Sequence, residues 1–326
     1  MSWLVRASLV AVFAALATFG AARAARAQAC CASTSAIFPA RLQGDEDALV
    51  GLGLKLAGVT GSFDGQRTWH GQPDGAHELD FAQTVLATVR PFPDFQINVA
   101  VPFEETYRSA GGLTDAGGGV SDMKLSMRWD VTTAGRDPIV PGIAGLLSLT
   151  VPSGKPIESA SGALAADATG LGAMQLDAGL AFEQLFGHML FATAFTASFH
   201  EARTASNVHS QLGPDLAGTL AATYVFRGGA ALGASFLYTG SWDASVAGAT
   251  VPGSARALTQ LAAIGSLPLT AHVRLVGSLY FVPPISSVGQ NEPASVGLSA
   301  TLIYGFFPPG PPCVGGCKQG SCPPRK

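Results

Sequence analysis

Polar and charged side chains recur at every second position inside apolar stretches of this chain. Asp122, Lys124, Arg128 and Asp130 alternate with Met123, Leu125, Met127, Trp129 and Val131. Glu78, Asp80 and Arg90 alternate with Leu79, Phe81, Val85 and Val89. Gln175, Asp177 and Glu183 are set against Met174, Leu176, Leu180 and Phe182, and His188 and His200 against Met189, Phe191, Phe195 and Phe199. Lys55 and Arg227 continue the series. A spacing of two puts such side chains on one face of a β-strand, whereas a helix would scatter them around its axis. A polar face of mixed sign can line a water-filled path and orient a polar solute. It can equally pair with neighbouring strands and fill a narrow interior. Neither sign dominates, so the charges give no reason to expect ion selectivity.

Two other sets of residues could do chemistry. His70, His200 and His209, with Asp64, Asp74 and Asp80, are the ingredients of a hydrolytic site. No Gly-x-Ser-x-Gly elbow accompanies them, and a histidine in a solvated loop is ordinarily polar surface. The chain is therefore not expected to be an enzyme, and no cofactor is expected. The five cysteines, Cys30, Cys31, Cys313, Cys317 and Cys322, sit near the two ends. Their spacing is not that of a zinc site and no histidine is close by, so no metal is expected. In an exported protein disulfides are the default. An odd count leaves one thiol free, acylated or joined to another chain.

Export is written at the N-terminus. Arg6 precedes an apolar run from Leu9 to Phe19, and Ala27-Gln28-Ala29 fits a signal-peptidase site. The run is too short for a membrane anchor, so residues 1–29 read as a signal peptide. Cys30 follows the cut, as in a lipoprotein, but Ala27 stands where such signals carry Leu. Net charge is −3, with 40 glycines and 13% charged residues. No basic face is present, so nucleic acid is not an expected partner. After the signal no apolar run is long enough for a transmembrane helix.

The elements that must carry the alternating residues are strands. Twelve are expected: Ala48 to Val59, Glu78 to Arg90, Phe95 to Phe103, Asp122 to Val131, Pro138 to Val151, Ala173 to Glu183, His188 to His200, Asp215 to Arg227, Ala230 to Trp242, Ala255 to Ser266, Thr270 to Val282 and Val296 to Phe306. The links between them alternate in length almost throughout, Thr132 to Asp137 being the longest of the short set. Pro91 to Asp94, Leu185 to Gly187, Arg227 to Gly229 and Ser266 to Leu269 are short. Gly61 to Ala76, Glu104 to Gly119, Ser153 to Thr169, Glu201 to Ser210, Ser241 to Ser254 and Pro284 to Pro293 are long, polar and rich in glycine. Short periplasmic turns and long outer loops in this order, with an even strand count, mark an all-β antiparallel transmembrane barrel of the outer membrane. Lipid supplies no hydrogen bonds, so the first strand must pair with the last. Both termini then lie on the periplasmic side. The expected organisation is a signal peptide (1–29), a periplasmic N-terminal segment bearing the cysteine pair (30–47), the barrel (48–307) and a Pro/Cys-rich periplasmic tail (308–326).

Three motifs carry a family resemblance. Gly118 to Leu125 resembles the "G-x-x-D-x-x-L-x-x-R-Y" strand opening of the outer-membrane barrel family named for the meta pathway of phenol degradation, with Trp129 in place of the Tyr. Leu149 to Lys155 resembles that family's "P-T/S-G" strand end, and Gly170 to Leu180 its next strand. The likeness runs from about Val120 to His200. It implies a transporter or channel for small organic molecules. The expected partners are thus outer-membrane lipid, a small organic solute and the barrel-assembly machinery, which would read the C-terminal strand Val296 to Phe306. A structural or partner-binding barrel with a closed lumen is the alternative.

Overall fold

The computed structural model describes residues 40–44, 46–135, 139–205 and 208–308. The signal peptide and all five cysteines lie outside these residues. Twelve antiparallel strands form a closed wall. They are β1 (Ala48–Phe63), β2 (His77–Phe92), β3 (Phe95–Ala110), β4 (Met123–Thr132), β5 (Gly142–Val151), β6 (Gln175–Phe186), β7 (Met189–His200), β8 (Asp215–Val225), β9 (Ala231–Ser241), β10 (Arg256–Pro268), β11 (Val273–Phe281) and β12 (Pro293–Phe306). Each pairs with its chain neighbour, and β1 also pairs with β12, from Ala48 opposite Phe306 onward. Closure leaves no open edge, which the interior of a bilayer requires.

The sidedness follows from residue alternation. In β1, Val50, Leu52, Leu54 and Leu56 are exposed while Leu49, Gly53 and Ala57 are buried. The same inversion holds around the wall: Phe195, Leu220, Leu232, Leu279 and Leu302 point outward with at least half their surface free. In a water-soluble protein such a band would be unstable; against lipid it is the required exterior. Aromatic rings gather outside at the end with short turns, where Tyr224 meets Phe226 and Tyr304 meets Phe306, each pair at 4.9 Å. Aromatic residues of this kind mark the water–lipid boundary.

The links expected as loops at Glu201 to Ser210 and Ser241 to Ser254 carry short strands that pair with one another. Two further expectations change. The stretch from Glu104 to Gly119 is no loop. It is a hairpin that prolongs β3 beyond Phe103, with Leu113–Val120 pairing back onto it. Its tip is Gly111-Gly112, with φ of 60° and 80°. A tight hairpin turn needs two such residues, and glycine supplies them without strain. Above the bilayer neither face meets lipid, so the apolar alternation that marks a strand is missing there. The fifth strand, expected from Pro138, begins at Gly142, just after Pro141, which has no N–H to give the ladder.

Candidate functional site: the barrel lumen

The end of the lumen nearest the short turns is filled. Residues ahead of β1 fold back into the barrel mouth, and Ala40, Arg41, Leu42, Gln43 and Glu46 are all buried there. Leu42 packs with Ala40, Leu49, Leu86 and Ile303. Main-chain groups of the segment are held by wall side chains. Gln96 accepts from the Leu42 N–H at 3.0 Å, Thr88 donates to Ala40 O at 2.9 Å, and Arg90 donates to Gln43 O and Gly44 O at 2.6 and 2.7 Å. Gly305 makes room for the seal, because a Cβ there would overlap the Glu46 carboxylate.

Ion pairs fix this plug. Arg41 is bound to Glu183, and Asp130 lies 3.7 Å away. Arg128 donates to Glu183 at 2.8 Å and to Asp130 at 2.8 Å. On the other side Arg274 is bound to Glu46 and donates to Arg41 O at 3.2 Å. Arg128, Glu183 and Glu46 are each at most 2% exposed. Removing a charge from water is expensive, and only a close partner of opposite sign with hydrogen bonds offsets it. These charges are therefore committed to one another.

Above the plug the lumen opens into a chamber of about 560 Å³. Its wall is mostly Ser, Thr and small residues, among them Thr84, Ser126, Ser148, Thr196, Ser198 and Thr301. Lys55, Lys124, Gln175, Asp177 and Asp215 also reach it. Lys124 pairs with Asp177 at 2.7 Å, and Gln175 donates to Asp177 at 2.6 Å. A second space of about 290 Å³ adjoins it, sharing Leu86, Ser299 and Thr301.

At the long-loop end, acids serve mainly as anchors for loops. Asp122 accepts from Gly154 N at 2.9 Å and Leu171 N at 2.7 Å, pinning both ends of the loop between β5 and β6. Asp115 accepts from Leu164 N and Ala166 N of the same loop, and Asp167 from Lys155 and Ser161. The Lys155 and Ser161 hydrogen bonds hold Asp167 well below the usual carboxylate range. The hydrogen bond from His70 lowers Asp64 as well, while burial raises Glu292 although Arg256 lies 3.3 Å away.

The residues singled out by spacing thus divide. Lys55, Lys124, Gln175 and Asp177 line the chamber. Arg90, Arg128, Asp130 and Glu183 hold the plug. Glu78 pairs with Arg108, Asp80 accepts from Thr106, and Asp122 anchors a loop. His200 is buried against Gly213 O at 3.0 Å, with Asp215 3.6 Å from its other nitrogen. Two were misplaced. His188 sits exposed in the turn before β7 with its ring 5.7 Å from outward-facing Tyr224, and Arg227 lies exposed in the β8–β9 turn. His188 stands one residue before β7 and Arg227 two after β8, where alternation no longer fixes a side. The histidines weighed for hydrolysis are dispersed: His70 contacts Asp64 at 2.9 Å on the surface, and His209 approaches Thr204 at 3.4 Å. Arg41, Glu46 and Arg274 were not anticipated. Arg274 follows the period of β11 and was readable from it; Arg41 and Glu46 precede the first strand and carry no periodic signal.

No family model and no curated protein matches the chain. Solved structures do. An outer-membrane channel from Pseudomonas putida F1 is similar over 82% of this chain and 100% of its own, with 13% identity and a TM-score of 0.67. At that identity the likeness is one of fold. The transport unit of the autotransporter AIDA-I from Escherichia coli (7% identity, 84% and 95% covered) and the KdgM porin (10%, 79% and 99%) give TM-scores of 0.47 and 0.43.

Proposed function

We propose that this protein is an outer-membrane channel or transporter that passes small organic solutes through its polar-lined lumen. The observation that carries the reading is the 560 Å³ chamber inside a wall whose outside is apolar. A barrel serving only as a scaffold has no need of an internal volume in the range of roughly 300–1,000 Å³ typical of small-molecule sites. The family resemblance and the similarity to a known channel point the same way. Residues 40–47 then act as a constriction at the periplasmic mouth. In this reading both termini face the periplasm, the cysteine-bearing ends meet there and form disulfides, and the last strand is the part read by the assembly machinery.

One observation favours the alternative of a closed, structural barrel: the plug is held by buried ion pairs on two sides. Liposome swelling with the full mature chain decides between them. A channel gives swelling rates that depend on solute size and polarity. Rates equal to those of empty liposomes for every solute would leave the closed barrel standing.

A further inference from the structure

A groove of about 590 Å³ lies on the outer face of the wall, across β6 to β10. Its floor is small: Ala222 stands opposite Ala234 across the β8–β9 pair. Its banks are Phe191, Leu220 and Phe236, all exposed on the lipid side. Leu261, opposite Phe236, shares their face. The groove ends under the aromatic belt. The next outward residue of β8 after Ala222 is Tyr224, whose ring is 5.7 Å from that of His188 and 4.9 Å from that of Phe226. Arg227 follows, exposed in the β8–β9 turn. The β6–β7 and β8–β9 turns abut here, because the Val225 N–H donates to His188 O at 2.8 Å. Residues 184–200 and 216–242 contain no Asp or Glu, so the rim above the groove is basic without a carboxylate of its own. The β2–β3 turn, on another part of the rim, carries Asp94.

We infer that this groove seats one acyl chain of an anionic phospholipid, with the lipid phosphate at Arg227 and His188. A guanidinium donates paired N–H groups to a phosphate, and the bond is strengthened by charge on both sides. A zwitterionic headgroup would bring its ammonium to a rim that has no acid to receive it. The inference goes beyond the channel reading and rests only on its sidedness: short turns that face the periplasm meet the phospholipid leaflet and not lipid A. A second copy of the chain suits the same face less well. In a two-fold pair identical patches meet, and Arg227 would approach its own copy with no acid between them.

Native mass spectrometry of the detergent-solubilised mature chain tests this, with dipalmitoyl phosphatidylglycerol, the matching phosphatidylethanolamine and lipid A as probes. One phosphatidylglycerol should be retained per chain, in preference to the ethanolamine lipid. Arg227→Gln should lower that preference about two- to fivefold, the worth of an ion pair that water still reaches, and Arg227→Lys should keep most of it. Ala234→Phe fills the groove with a side chain that lipid tolerates, and the bound phosphatidylglycerol should be lost. Ala87→Phe, outward on β2 between Val50 and Val99, should leave it bound. Heat-modifiable migration on gels shows that each variant is folded. Equal retention of the two phospholipids by the wild type, unchanged retention in Ala234→Phe, or an equal loss in Ala87→Phe overturns the site. Preferred retention of lipid A overturns it by reversing the sidedness, and a lipid-free dimer gives the face to a second copy. Each of these results leaves the channel reading to the swelling assay.

Discussion

The two ends of the lumen use the same side chains in opposite ways. Near the short turns, Glu46, Asp130 and Glu183 face guanidinium groups and seal a mouth with buried charge. At the long-loop end, Asp115 and Asp122 face backbone N–H groups and fasten loops to the rim. The first arrangement depends on a few side-chain pairs from distant parts of the chain, and loss of one partner strands the other in a dry site. The second spreads over main-chain bonds near water, each replaceable. A seal that one substitution can break therefore sits at one end and a durable rim at the other.

Glu183→Gln should break this contrast most. It leaves Asp130 as the carboxylate shared by Arg41 and Arg128, at a cost of at most about 3–5 kcal/mol. The expected outcome is a larger single-channel conductance and trypsin cleavage after Arg41, a bond protected in the native protein. Continued protection of Arg41 would mean that the plug is held mainly by Leu42 and its neighbours. Asp122→Ala should do less. Two loop N–H groups lose their acceptor, a loss of about 1–3 kcal/mol. Hydrogen exchange should then speed up at the Gly154 and Leu171 amides while Arg41 stays protected from trypsin, which separates the ends experimentally.

Acid sharpens the comparison further. Asp167 is held below its ordinary range, so its contribution to loop order is fully present above the unfolded carboxylate value. It fades only as pH falls through the lower folded value. Glu292 runs the other way: burial raises it, so protonation near the ordinary carboxylate range favours the folded loop. Hydrogen exchange should show the loop around Asp167 still protected at pH 4, while Glu292→Gln removes the gain on acidification at the β11–β12 loop. The smallest effect belongs to His70→Ala. Its pair with Asp64 is surface-exposed, and the unfolding midpoint should not move measurably.

Much of this architecture was open to reading from residue order. Period two in β4, where Met123, Leu125, Met127 and Trp129 alternate with charge, states both the strand and its sides, because lipid and water demand opposite residues. Closure followed from hydrogen bonding alone. The hairpin at Gly111-Gly112 was hidden because its faces share one solvent. The plug was hidden for a different reason: Arg41 and Glu46 find their partners at Glu183 and Arg274, contacts that only three-dimensional closure creates. Inward pointing told where Arg128 and Glu183 lie but not that they are spent on the seal.

The grip of Arg274 on Glu46 spans 228 residues and comes from the penultimate strand. A nascent chain that has not yet laid down its final hairpin has nothing with which to clasp that carboxylate. The Arg274 clasp on Glu46 thus needs the last hairpin, whereas the Arg41 clasp on Glu183 needs the chain only as far as β6.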